Sequence, residues 1–247
     1  MFSMTYLQFH FIFTLPAIFL LKLVGPRVVS SDLMKAGASL LTITVIAFVY
    51  TTPWDNYLVM KGVWGYGADR VIATAGYVPI EEYMFFVLQP ILTGLWLFRS
   101  IWSQREHADR QPSTKARWAG TAFFLVLSGI GLVMLQYDSS LYMALILVWA
   151  APVLAFQWSY GGHHLWRLRH LWWIGVVSPT LYLCIADRIA IGVGIWHISE
   201  TYTLGINLLG LPLEEATFFL VTNILVVQGL LLMLHTLKVP ALAERPS

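Results

Sequence analysis

Long apolar runs, broken only briefly by charge, recur along this chain of 247 residues. Each is close to the ~20 residues that a helix needs to cross a hydrocarbon layer ~30 Å thick. The composition agrees, because 58% hydrophobic against 11% charged residues is too apolar for an ordinary soluble domain. The bilayer is therefore the solvent for most of the protein.

Seven helices are predicted, at about Met4–Leu21, Ala36–Thr51, Ile80–Phe98, Trp118–Gln136, Leu141–Trp158, Leu171–Ala186 and Leu213–His235. The fold class is thus an all-α integral membrane protein. Pro16, Pro90 and Pro152 fall inside spans, where neighbouring helices can satisfy the freed carbonyl and proline kinks the helix without ending it. No basic region precedes the first run and no Ala-x-Ala-like site follows Leu21, so that run reads as a permanent helix and not a signal peptide.

Twelve of the fifteen Lys and Arg residues share one side. They are Lys22, Arg27 and Lys35, then Arg99, Arg105, Arg110, Lys115 and Arg117, then Arg167 and Arg169, and finally Lys238 and Arg245. Lys61, Arg70 and Arg188 lie on the other. The positive-inside rule then places the N-terminus outside and the C-terminus in the cytoplasm.

Comparison of the chain with itself reveals a repeat. Pro79-Ile-Glu81-Glu82-Tyr-Met-Phe85-Phe86 returns as Pro212-Leu-Glu214-Glu215-Ala-Thr-Phe218-Phe219. Upstream, Asp55-Asn56 stands before Trp64 at the spacing with which Asp187-Arg188 stands before Trp196. In each half the Asp is expected to close one helix and the Glu pair to open the next, across a Gly-rich connection. Residues 1–100 then form repeat A with three helices, 101–138 carry a connector helix, and 139–247 form repeat B. A single connecting span makes the two repeats parallel, related about an axis along the membrane normal. All six acids, Asp55, Glu81, Glu82, Asp187, Glu214 and Glu215, fall at the outer face.

Proline at the first helical position followed by Glu is also ordinary helix-start chemistry. Four such Glu beside two Asp, at the edge of a bilayer, ask for more. Acids in or next to spans are costly unless protonated, paired or facing a cavity, which makes them functional candidates. Desolvation and a nearby like charge both favour the neutral acid, and a neutral carboxylic acid is a proton donor. At i and i+4, Glu81 lies under Phe85 and Glu82 under Phe86, with the same relation for Glu214 and Phe218 and for Glu215 and Phe219. Aromatic faces next to an acid can stabilise a developing cation.

What is missing narrows the choice. There is no arginine-rich tract and no helix-turn-helix pattern, so nothing points to nucleic acid. No G-x-G-x-x-G after a strand and no P-loop appears, so no cofactor is signalled. His163-His164 reads as a solvated turn in a basic loop and not a metal site, and Cys184 as a small buried hydrophobe. Helix seven has no lysine, which excludes a retinal Schiff base there.

At the two Pro-x-Glu-Glu elements and the Asp and Trp segments before them, the sequence resembles the lycopene cyclases of the heterodimer-derived type. These occur as two short membrane polypeptides in some bacteria, as one fused chain in archaea, and as the N-terminal part of fungal bifunctional carotenoid enzymes. The resemblance covers essentially the whole chain. It implies cofactor-free cyclisation of the linear ends of lycopene to β-ionone rings, giving γ-carotene or β-carotene without net redox change, in carotenoid biosynthesis. It also implies essential carboxylates at Glu81, Glu82, Glu214 and Glu215, with Asp55 and Asp187 in support. Neighbours on a helix point about 100° apart, so one Glu of each pair is expected to face the site: Glu82 and Glu215 exchange protons while Glu81 and Glu214 tune them, or the reverse, and Trp64, Trp196, Phe85, Phe86, Phe218 and Phe219 are expected to line the substrate pocket. The first half departs from the second at Asn56 against Arg188, so the halves need not be equivalent.

Two other readings compete. A proton-coupled transporter or channel would also use paired intramembrane acids, but it requires a polar path, and the cytoplasmic half of the spans reads as almost wholly apolar. A non-catalytic scaffold in a pigment-making complex would associate with other carotenoid enzymes.

Overall fold

The computed structural model describes residues 4–25, 30–103 and 112–239. Arg27, Arg105, Arg110 and Arg245, which enter the charge count above, lie outside them.

Among the described residues, seven helices are long and apolar enough to span a membrane: α1 (Tyr6–Leu23), α2 (Ser30–Lys61), α3 (Ile80–Ser103), α4 (Thr114–Met134), α5 (Leu141–Arg167), α6 (Arg169–Gly192) and α7 (Leu213–Thr236). Thr5 opens α1 with a capping box closed by Gln8, which satisfies two backbone donors at the helix start. One turn later the helix loosens into a π-helical stretch at His10–Thr14. Such bulges favour functional sites, and this one lets the imidazole Nε2 of His10 meet the carbonyl of Glu81 at 2.8 Å.

Several helices outrun their expected ends, among them the two expected to close at an acid. Asp55 and Asp187 do not close their helices but sit inside them, because α2 continues past Pro53 to Lys61 and α6 continues to Gly192. The wide apolar stretch stopped at these acids in hydropathy, whereas the backbone keeps its hydrogen bonds through them. His163 and His164 also lie within a helix, the last turns of α5 beyond a kink at Gly161, and not in a loop. Their rings lie tilted against each other with centroids 3.9 Å apart, and His164 lies tilted against His235 at 3.7 Å.

The connections at the acidic end carry short antiparallel strands. β2 (Thr74–Ala75) and β3 (Val78–Pro79) form a hairpin that leads into α3, and β5 (Asn207–Leu208) and β6 (Leu211–Pro212) form another that leads into α7. β1 (Trp64–Tyr66) pairs with β4 (Trp196–Ile198), so each half contributes one strand to a shared ribbon. That ribbon depends on Gly67, because a Cβ there would lie 2.3 Å from the backbone oxygen of Gly194. Asn56 and Arg188 do equivalent work with different chemistry. The Asn56 carbonyl oxygen accepts from the Tyr77 N–H at 3.0 Å, and the Arg188 guanidinium donates to the Leu209 carbonyl at 3.2 Å, each steadying the hairpin of its own half.

Packing divides the bundle. One apolar cluster, including Leu97, Leu154, Val227 and Leu230, fills the end remote from the strands, and a second, including Leu58, Tyr142, Ile146 and Phe218, lies under them. Between the two the interior is less apolar than expected. Asn223 accepts from Gln89 at 2.7 Å and from Thr93 at 2.6 Å, and donates to Thr180 at 3.0 Å. These bonds close on one another and tie α3, α6 and α7 together, the use to which membrane bundles commonly put buried amides and hydroxyls.

Candidate active site

Both α3 and α7 start directly from a hairpin, so their first turns are held at a fixed height under the β1–β4 ribbon. All six acids are buried: Asp55, Glu81 and Glu214 at 0% exposure, Asp187 at 2%, Glu215 at 3% and Glu82 at 7%. Successive residues on a helix point about 100° apart, and that rotation gives the two members of each Glu pair different tasks.

The first member of each pair turns back into its own connection. Glu81 accepts from the backbone N–H of Ile72 at 2.9 Å, and Glu214 from that of Leu204 at 2.7 Å. The same bond recurs in both halves, and the second oxygen of each carboxyl is buried without a hydrogen-bond partner.

The second member turns inward. Glu82 and Glu215 line one cavity, of about 460 Å³ including its open mouth, together with Asp187, Trp64, Trp196, Phe85, Phe218 and Phe219. Glu82 accepts from the phenol of Tyr6 at 2.8 Å and from that of Tyr66 at 3.2 Å. Glu215 accepts from Tyr142 at 2.8 Å. Asp187 accepts from the indole N–H of Trp196 at 2.8 Å. Asp55 does not line the cavity; it is buried with neither oxygen hydrogen-bonded among the described residues, within electrostatic reach of Glu82 and Glu215. Burial first, and then the Glu82 charge, push the Tyr66 phenol well above its ordinary value of 10.0. It therefore remains a hydrogen-bond donor across the working range.

Eight of the predicted positions thus meet at one cavity, drawn from both halves of the chain. In the first half the ring that faces the cavity with Glu82 is Phe85, three residues on, while Phe86, four residues on, lines a separate cleft; in the second half Phe218 and Phe219, three and four residues after Glu215, both face the cavity. Phe219 reaches the cavity as well, packing edge-on against Phe85 at 6.2 Å and Phe218 at 5.4 Å.

The hydrogen-bond donors to the inward Glu residues, Tyr6, Tyr66 and Tyr142, lay outside the sequence reading, as did Phe9, Leu183 and Ile198 of the cavity lining. A signal for two of the tyrosines was available. Tyr6 stands in the first turn of the first helix of its half and Tyr142 in the first turn of the first helix of the other, and each donates to the inward Glu of its own half. Extending the self-comparison back by one helix pairs them. Trp54 and Trp149, stacked at 4.7 Å with Phe218 lying parallel to Trp54 at 5.7 Å, complete the aromatic wall.

An acid from each half, phenols that donate to those acids, and an aromatic enclosure make this cavity a candidate acid–base site in a membrane-embedded bundle. Comparison with known proteins gives the family. The chain is 42% identical over 223 residues to the lycopene beta-cyclase of Halobacterium salinarum, covering 87% of this chain and 93% of that protein. It is 35% identical over 234 residues to the bifunctional lycopene cyclase/phytoene synthase of Phycomyces blakesleeanus, and 37% identical over 234 residues to that of Aspergillus niger. It covers 38% of the length of each of these fungal proteins. No family model and no solved structure matches. The chain belongs to the lycopene beta-cyclase family.

Proposed function

We propose that this protein closes the linear ends of lycopene into β-ionone rings by proton transfer alone. The observation that carries the reading is the meeting of Glu82 and Glu215, one from each half, on a single cavity walled by Trp, Phe and Tyr. An isolated alkene is protonated only by an acid kept from water, and burying a carboxylate without a cation is costly enough to favour such an acid. In the reaction one proton adds to the terminal double bond and leaves a tertiary cation. The neighbouring double bond attacks that cation to form the ring carbon–carbon bond, and a base then removes a proton. One proton enters, one leaves, and no electrons are exchanged with a cofactor.

Glu82 and Glu215 are the proton-exchanging pair, oriented by Tyr6, Tyr66 and Tyr142. Asp187 and Asp55 support them. The rings of Trp64, Trp196, Phe85, Phe218 and Phe219 hold the cation through their negative faces. Glu81 and Glu214 fix the connections that position the pair. The chain is organised as two parallel three-helix repeats that share this site, so the two ends of the substrate react one after the other. The protein resides in the cell membrane with the site toward the outer face and the C-terminus in the cytoplasm, as the distribution of Lys and Arg indicates.

The test is to produce the protein in cells that accumulate lycopene and to separate the pigments by chromatography, alongside Glu82→Gln and Glu215→Gln. Cyclised pigment from the unaltered protein and none from either variant is expected. Unchanged lycopene with well-produced protein counts against the activity, and full conversion by both variants removes the assignment of the pair.

A further inference from the structure

A second cleft, of about 700 Å³ including its open side, lies beside the acid cavity between α2, α3, α5 and α7. The two share Phe85 and Phe218, whose rings form a common wall. We propose that this cleft is the berth for the part of a linear polyene that is not reacting, and that the polyene reaches it sideways from the bilayer through the seam between α2 and α5. The proposal rests on the cyclase reading for the identity of the occupant, and on the following geometry for its place.

The seam is bracketed at its acidic end. Tyr50 on α2 donates to the Trp149 carbonyl on α5 at 2.9 Å, and the Trp54 indole donates to the Leu145 carbonyl at 3.1 Å. The Tyr50 and Trp149 rings also stack at 5.6 Å. On the other side of this bracket the cleft is lined by Ile43, Ile46 and Ala47 of α2 and by Val153 and Gln157 of α5. Ile46 is 55% exposed and Tyr50 41% exposed, so the lining continues onto the lipid-facing surface. There a shallow groove shares Ile46, Tyr50 and Trp149 with the cleft. The cleft is thus open to lipid at one side and meets the acid cavity at the other.

The lining suits a hydrocarbon. It contains no charged residue, and its two glutamines are engaged elsewhere: Gln89 with Asn223 at 2.7 Å, and Gln157 with the Leu225 carbonyl at 3.0 Å. Its length is suitable too. From the level of Asp55 down to Ile43 is about 18 Å at 1.5 Å per residue, roughly half of a polyene as long as a ~30 Å bilayer core. One end group in the acid cavity and the adjoining chain in the cleft leave the far end in lipid, where a second end group can wait.

The experiment fills the cleft without touching the acids. Ala47→Trp and Val153→Trp place an indole in its path, and Leu181→Trp puts the same bulk on the lipid-facing surface of α6, where Leu181 is 59% exposed. Each is assayed for lycopene conversion per mole of protein and for thermal midpoint in detergent. Loss of conversion by at least about tenfold in the first two, with midpoints unchanged and Leu181→Trp fully active, is expected. Where a tryptophan variant fails to fold, Ala47→Cys in a Cys184→Ala background is modified after folding with a bulky lipid-soluble maleimide, and the same loss is expected on modification. Wild-type conversion by the filled or modified proteins overturns the berth. Lycopene binding, read by quenching of tryptophan fluorescence, separates this outcome from failure of the cyclase reading. Unaltered protein that binds lycopene without cyclising it, with binding abolished in Ala47→Trp, leaves the berth standing and the activity refuted. Binding that survives in Ala47→Trp refutes the berth.

Discussion

Replacing Tyr142 with Phe removes the one hydrogen bond that orients Glu215 among the described residues, while Glu82 is held by two phenols. The three tyrosines should therefore not be equal. A hydrogen bond to a charged group is worth ~1.5–3 kcal/mol, and each 1.36 kcal/mol is about a tenfold change in rate. Loss of the sole donor to Glu215 should then lower turnover by roughly ten- to a hundredfold. Tyr66→Phe, which leaves the 2.8 Å bond from Tyr6 in place, should cost no more than a fewfold, and the Tyr6→Phe, Tyr66→Phe double variant should approach the Tyr142→Phe loss. Initial rates of lycopene cyclisation in liposomes, per mole of folded protein and read by chromatography, make the comparison. Wild-type turnover by Tyr142→Phe, or a larger loss in Tyr66→Phe than in Tyr142→Phe, refutes the claim that these phenols orient the acids.

Glu81→Gln and Glu214→Gln keep an oxygen able to accept from Ile72 or Leu204 but place an amide N–H₂ where the second oxygen has no partner. They should lower the thermal midpoint, at ~1–3 kcal/mol for each buried unsatisfied group, yet retain turnover per folded molecule, in contrast to the variants at Glu82 and Glu215. Gly67→Ala should destabilise by ~1–3 kcal/mol, because its Cβ meets backbone that cannot step aside. Gly129→Ala, on an exposed face of α4 with nothing near the added carbon, should be neutral or stabilising by up to ~1 kcal/mol. Unfolding in a mild detergent compares the two. Asn223→Ala removes the hub of three hydrogen bonds, and at ~0.6 kcal/mol each, the average for such bonds in a membrane bundle, it should lose about 2 kcal/mol in the same assay.

The spans were readable because lipid imposes one rule on every residue that faces it, and hydropathy reports that rule directly. Their ends were less so. Asp55 and Asp187 look like stops in a hydropathy profile, yet the backbone passes through them, since a helix is terminated by its hydrogen bonds and not by one buried acid. Local sequence also could not decide which Glu of each pair faces inward, because neighbours on a helix differ only by rotation, and the hairpins that set that rotation are long-range features. The tyrosines were hidden for a similar reason. Tyr6 and Glu82 are far apart in sequence, and a lone Tyr at a helix start carries no chemistry until the fold supplies its acceptor. The Gln89, Thr93 and Asn223 knot was missed because isolated amides barely dent the hydropathy of a long span.

The departures from symmetry between the halves bear on why a duplicated chain should have one cavity and not two. Exact symmetry would place two identical acids across a cavity, and an acid and a base cannot be identical at the instant of reaction. Here Glu82 receives two phenols and Glu215 one, because Tyr66 on β1 has no tyrosine counterpart in Trp196-His197-Ile198 of β4. Asp187 accepts from Trp196 and lines the cavity, whereas Asp55 does not line it and is buried with no hydrogen bond from Trp64. Duplication supplies the pair of carboxyls and the ribbon that joins their halves. Divergence at a few neighbours then sets the two acids in unlike surroundings, which the proposed reaction requires if one is to give a proton while the other takes one.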